Sequence, residues 1–171
     1  MNAEFKLAAA GLVTGAQFST CRTWRYALWR TWNQDDGHLM FVGLNPSTAD
    51  ETKDDPTIRR CIGFARRFGY GGVYMLNIFA FRSTNPKEMR LALDPVGPEN
   101  DWFLRMYAAQ AGRIVVAWGS HGKFLNRGAG VSQTLRRISH LYCLSVVRNG
   151  EPGHPLYLPN TAELMPYMAG A

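Results

Sequence analysis

The sequence predicts an α/β protein: three α/β/α layers around a central, mainly parallel four-stranded sheet, with an antiparallel hairpin on its N-terminal side. Three observations predict it. Four short runs, residues 39–42, 73–76, 113–119 and 142–147, are dominated by apolar side chains and have the length of buried strands. Segments with helical spacing or helix-capping residues separate them. The succession strand, helix, strand over residues 39–77 is a βαβ unit, whose crossover is expected to be right-handed.

Composition bounds the rest. With 171 residues and 46% hydrophobic side chains, the chain suits one domain over residues 1–171 with a substantial core. There is no apolar run long enough to cross a bilayer and no basic segment leading into a long apolar one. A cytoplasmic location is therefore expected, without membrane association. Cys21, Cys61 and Cys143 are scattered and lack metal-ligand spacing, so neither a metal site nor a disulfide framework is expected. The formal charge of +6 rests on arginine more than lysine, which favours a phosphate-bearing partner, although an ordinary basic protein has the same balance.

Taken in order, residues 1–15 carry little pattern and read as a loose arm. Residues 18–32 are dense in arginine and aromatics. Trp24, Tyr26 and Leu28 alternate against Arg25, and the turn-forming residues 33–37 follow. This reads as a hairpin whose second strand enters the sheet; a base-stacking surface is the alternative for the same residues. The strand at 39–42 stops at Gly43 and runs into Asn45-Pro46-Ser47. Asp55 then caps a helix with Pro56 at its first position, and Thr57 and Arg59 stand near enough to that turn to touch a ligand's phosphate. Ile58, Cys61, Ile62, Ala65 and Phe68 fall on its core face, and Gly69 closes it. The second strand ends on Asn77. A helix from Pro98 to Ala109 leads to the third strand, which ends at Gly119 and is followed by Ser120 and His121. A basic helix over 125–139 and the fourth strand lead to a proline-bounded loop holding His154, Leu156 and Tyr157.

Two strands thus end on asparagine at the same rim of the sheet. That rim is where α/β proteins bind ligands. A carboxamide both donates and accepts, which suits the polar edge of a nucleobase, and it can also hold a water. A histidine donor stabilises negative charge on a departing base.

The order of these motifs resembles the uracil-DNA glycosylase superfamily. Residues 43–47, Gly-Leu-Asn-Pro-Ser, are similar to the Gly-x-Asn-Pro-Gly motif of its mismatch-specific and single-strand-selective branches. Residues 74–77 resemble the strand whose last asparagine reads the base, residues 115–119 the strand ending in Trp-Gly, and His154-Pro155 the start of the last motif. The resemblance spans roughly residues 39–159. Ser47 replaces the family's glycine, and Leu156 stands where several branches carry a phosphate-gripping serine. The water-activating aspartate of the uracil-specific branch is absent from the motif; Asp50, Asp54 and Asp55 are the candidate substitutes, and caps and turns account for them equally well. Residues 43–50 with 55–61 more closely resemble a bacterial and phage family known only as domain-of-unknown-function family 1643.

The resemblance implies a monofunctional DNA glycosylase-like enzyme that hydrolyses the N-glycosidic bond of a damaged or modified base without a cofactor. It implies Asn45 and His154 as catalytic residues, and Asn77, Gly43, Leu44, Pro46 and Ser47 as the base pocket. Nucleic-acid contacts are expected from Arg59, Arg60, Arg82, Ser120, His121, Leu156 and Tyr157. The partner would be single- or double-stranded DNA, or a nucleobase-containing ligand, met by a monomer. Two alternatives share the pocket: a non-catalytic nucleic-acid or nucleotide binding module, and a hydrolase of free modified nucleosides or nucleotides.

Overall fold

The computed structural model describes residues 6–8 and 11–168. Among them, β1 (Lys6–Ala8), β2 (Leu12–Phe18), β3 (Arg25–Thr31), β4 (His38–Gly43), β5 (Gly72–Asn77), β6 (Arg113–Val116), β7 (Leu141–Cys143) and β8 (Met165–Pro166) form one sheet. Its order is β1-β2-β3-β5-β4-β6-β7-β8. Four helices, α1 (Pro56–Arg67), α2 (Pro86–Leu91), α3 (Asn100–Ala108) and α4 (Arg127–Arg136), complete the α/β fold.

This corrects the expected four-stranded, mainly parallel sheet. The sheet has eight strands and is mixed. β4 pairs in parallel with β5 and β6, and β6 with β7; the four remaining pairings are antiparallel. The expected hairpin is also absent, because β3 and β4 are not neighbours. β5 runs between them, antiparallel to β3 and parallel to β4. Two glycines make this possible. Gly71 receives the backbone N–H groups of Trp32 and Asn33 on its carbonyl, both at 2.8 Å. A Cβ on Gly71 would lie 1.7 Å from the Asn33 carbonyl, and one on Gly72 would lie 2.4 Å from the His38 ring. Residues 33–37 therefore fold as a 3-10 turn that carries the chain past β5 instead of reversing it.

β3 is buried along its whole length, so its side chains show no polar and apolar alternation. Tyr26 belongs to one core and Leu28 to the other. Arg25 and Arg30 are each 2% exposed. Arg30 pairs with Asp54 at 2.8 Å, and its other nitrogens donate to the carbonyls of Gly15, Trp29, Asp50 and Lys53. Of the arm expected over residues 1–15, residues 1–5, 9 and 10 lie outside the described residues. Residues 12–15 belong to β2, where Thr14 faces Arg30 and Gly15 faces Trp29.

Alternation along the parallel strands builds a core on each face. Leu39, Phe41, Val73, Met75 and Val115 pack with Ile58, Cys61, Phe64 and Ala65 of α1. Met40, Val42, Leu76, Ile114 and Val116 pack on the other face with Phe103 and Leu104 of α3 and Val131 and Leu135 of α4. Each large apolar side chain so buried contributes about 1.5–3 kcal/mol. α1 starts as its sequence dictates: the Asp55 carboxylate accepts the Ile58 N–H at 2.9 Å, and Pro56 fills the first position. Its end is a Schellman turn, with Gly69 at φ +81° donating to Arg66 and Tyr70 to Ala65. No helix among the described residues is long and apolar enough to cross a membrane.

Candidate active site

β4 comes first among the parallel strands and has β5 on one side and β6 on the other, so successive connections leave it in opposite directions. A crevice opens at the carboxyl end of such a switch point. The segments leaving β4 and β5 stay paired beyond the sheet: Ile78 donates to Gly43, Phe79 to Leu44 and Ser83 to Pro46. On the β6 side, Gly119 donates to the Pro152 carbonyl at 2.8 Å. A Cβ on Gly119 would meet that of His154 at 3.7 Å, so this contact brings the proline-bounded loop to the rim.

A cleft of about 430 Å3 occupies the crevice, a size suited to a small ligand. Leu44, Asn45, Ser47, His154, Ser120 and His121 line it, with the 81%-exposed Tyr157 at its edge. Trp118 supplies an apolar wall, fixed by its indole N–H donating to Glu151 Oε2 at 2.6 Å. A smaller chamber of about 40 Å3 adjoins it. Leu44, Asn45, Ser47, Thr57 and His154 border both spaces, while Arg25, Asp55 and Asn77 border the chamber alone. The chamber has room for a water, whose share of the liquid is about 30 Å3, and not for a base.

Each polar group there is held by the fold. The Asn45 amide nitrogen donates to the carbonyls of Ser83 at 2.8 Å and Pro46 at 3.2 Å, which leaves Oδ1 as the atom it offers a ligand. Asn77 is 2% exposed and its Nδ2 has no partner. Its carboxamide lies across Gly43, where a Cβ would stand 2.8 Å from Asn77 Oδ1 and 2.7 Å from Met75 Cε. Gly43 is thus a glycine because Asn77 needs the space. The Arg25 guanidinium donates to the Ala49 carbonyl at 2.9 Å, and its Nε also lacks a partner. Burial holds its pKa down to about 10, against the pull of Asp55, so it stays cationic at neutral pH. Two buried donors without a protein acceptor thus border one water-sized space. A buried unpaired donor costs roughly 1–3 kcal/mol.

The His154 ring accepts the Leu156 N–H on Nδ1 at 3.2 Å, which puts its own proton on Nε2. Burial lowers its pKa while the Asp55 charge raises it, and the lowering dominates. Neutral His154 is therefore an N–H donor at the boundary of cleft and chamber.

The other expected residues are placed differently. Gly43 and Pro46 shape the loop without lining the cleft, and Asn77 faces the chamber instead of the cleft. Leu156 is 37% exposed and lies off the cleft lining. Arg59 donates to the Asp54 carbonyl at 2.7 Å and opens on a separate depression with Arg30 and Arg66. Arg60 is taken up by the loop, donating to the carbonyls of Pro155 and Leu158 and to Asn160 Oδ1. Arg82 lies beside the cleft, and His121 meets Arg90 at 2.7 Å. Sequence reasoning does not place Arg25 or Trp118 at the site; it offers Thr57 as a phosphate contact and leaves Asp55 between a helix cap and a substitute for a water-activating aspartate. The doubled Asp54-Asp55 before Pro56 was the available signal, since one carboxylate suffices for the cap.

The fold and site define an α/β protein with a cleft and adjoining chamber at the switch point of its parallel strands, bordered by amides, a neutral imidazole, a buried aspartate and a buried arginine. Residues 25–156 match the family described as Protein of unknown function (DUF1643), and the chain belongs to that family. No curated protein and no solved structure matches it.

Proposed function

We propose that the protein hydrolyses the N-glycosidic bond of a damaged or modified base in DNA, by a monofunctional route. The observation that carries this reading is the meeting of Asn45, Asp55, Asn77 and His154 around a water-sized chamber that adjoins a nucleoside-sized cleft. The motif order resembling the uracil-DNA glycosylase superfamily supports it.

In this reading the base lies in the cleft against Trp118 and C1′ faces the chamber. Asn45 Oδ1 and Asn77 Nδ2 hold the water. As the bond from C1′ to the base nitrogen breaks, the sugar becomes oxocarbenium-like and needs little nucleophilic push. The water oxygen bonds to C1′ and its proton passes to Asp55, whose charge Arg25 balances. The electron pair leaves with the base, and the His154 Nε2–H donates to it. One such donor is worth on the order of 100–1000-fold in rate.

Asp55 and Asn77 thereby act at the water, deeper than the base-reading place expected for Asn77. A second reading, hydrolysis of free modified nucleosides or nucleotides, is favoured by Arg59 and Arg60, which serve internal contacts away from the cleft.

The test is a panel of single- and double-stranded oligonucleotides, each with one modified base, alongside the matching free nucleosides and nucleotides. Alkali-labile abasic sites, absent with Asn45→Ala and His154→Ala, are expected. Turnover of free nucleosides or nucleotides alone moves the substrate to the second reading. No released base from any member overturns both.

A further inference from the structure

A second depression, of about 500 Å3, adjoins the cleft. Arg22, Thr23, Thr48 and Arg82 line it, while Ser47, Ser83 and Thr84 border both spaces. The two spaces share that edge, so a ligand long enough to pass over these small side chains reaches both.

Its chemistry is that of an oxyanion site. The guanidinium carbons of Arg22 and Arg82 lie 3.9 and 4.8 Å from the centre of one ring, Phe18. Two like charges gathered on one ring repel each other, and only one has an acid beside it. Arg22 forms a two-pronged pair with Glu51 at 2.6 and 3.0 Å. Arg82 donates to the Arg22 carbonyl at 3.2 Å and has no carboxylate partner among the described residues. Its Nε is buried without a partner. Thr23, Thr48 and Thr84 add hydroxyl donors around this excess charge.

The backbone is strained at the same place. Arg22 has φ 58°, a left-handed conformation that non-glycine residues rarely adopt. Its N–H bond to Ser19 at 2.9 Å and the Arg82 bond to its carbonyl hold it there. Strain of this kind concentrates at ligand sites.

We propose that this depression is a phosphate subsite, which takes the phosphoryl group on the sugar whose base occupies the cleft. The inference rests on the base-binding reading of the cleft and deepens it, by requiring a phosphorylated ligand. Guanidinium groups match phosphate oxygens in pairs, and Arg82 is the cation still able to do so. The phosphate is either the monoester of a free nucleotide or the diester of a strand.

Binding of the full chain is measured to thymidine, thymidine 5′-monophosphate and a short single-stranded oligothymidylate, over a salt series. At least one phosphate-bearing probe is expected to bind on the order of tenfold or more tighter than thymidine, from charge-assisted hydrogen bonds. Arg82→Gln should remove most of that gain. Thr48→Glu, a surface change that brings a negative charge to the depression, should do the same with the fold intact. Arg59→Gln, off the depression, should leave it unchanged. For the oligonucleotide, Arg82→Gln should also flatten the salt slope by about 0.7, the value of one single-strand phosphate contact. A gain confined to the monophosphate assigns a free nucleotide, and one confined to the oligonucleotide a strand; either supports the subsite.

Equal affinity for all three probes, or equal losses in Arg59→Gln and Arg82→Gln, overturns it. The outcome is separable from the hydrolytic reading. Phosphate-dependent binding with no base released leaves the subsite standing, while base release indifferent to Arg82→Gln and Thr48→Glu removes the subsite alone.

Discussion

Replacing Gly43 with alanine tests how the chamber is assembled, because the added methyl has a known collision. Its carbon would stand 2.7 Å from Met75 Cε and 2.8 Å from Asn77 Oδ1, with both neighbours almost fully buried. Met75 ends in a flexible thioether and can turn away, whereas the Asn77 carboxamide must leave the chamber wall. Overpacking of this kind costs on the order of 1–3 kcal/mol. Alanine returns roughly 0.4–1 kcal/mol by narrowing the unfolded ensemble. The net is a loss of about 0–2.6 kcal/mol, or a fall of up to about 10 °C in Tm for a chain of this size. Urea denaturation should show a lower midpoint at unchanged slope, and the Asn77 side-chain amide resonances should shift. A Gly43→Ala protein as stable as the parent, with those resonances in place, would refute the packing of Asn77 over β4.

Three further outcomes follow from geometry already described. Asp55→Ala should cost about 1 kcal/mol through loss of the α1 cap, and Asp55→Asn only a few tenths, as read from urea midpoints. Both remove the charge beside Arg25, so base release, if measured, should fall in both alike. Arg30→Met strands the Asp54 carboxylate and four carbonyls, and should cost about 3–5 kcal/mol; a cost below 1 kcal/mol would mean that water replaces the guanidinium. His38 and His154 both have pKa values pushed below the ordinary 6.5 by burial, so the unfolded chain binds more protons than the folded one. Their contribution is complete above pH 6.5 and is lost as pH falls toward the folded values. Urea midpoints between pH 8 and 5 should decline over that window, less steeply in His154→Asn. A rise on acidification would contradict the burial of both rings.

The local features were legible because they depend on neighbours in sequence. The cap at Asp55, the proline at the first position of α1 and the glycine after its end are written in one short stretch. So are the buried runs that became β4, β5 and β6. Sheet order was not legible, because it depends on the match between Gly71 and the Asn33 carbonyl, far apart in the chain. Arg25 looked like the polar side of an outer hairpin strand because nothing local reveals that β2 and β5 flank β3. The rim residues Asn45 and His154 were read from motif order and do border one cleft. Arg59 was read from its place at the start of α1 and Arg60 from charge, and neither says whether a guanidinium faces solvent or the chain's own carbonyls. The fourth strand was drawn too long. β7 stops at Cys143, and Val146 pairs back with Pro152 to start the loop that carries His154.

The clasp made by Arg60 ties that loop to α1. One guanidinium reaches from the middle of α1 to Pro155, Leu158 and Asn160, so the imidazole side of the site and the carboxylate that begins α1 ride on a single rigid unit. Arg67 of the same helix holds the next stretch, at Ala162 and Glu163, so the chain from His154 to Glu163 is carried on α1. A shift of α1 on the sheet would therefore move both sides of the cleft together.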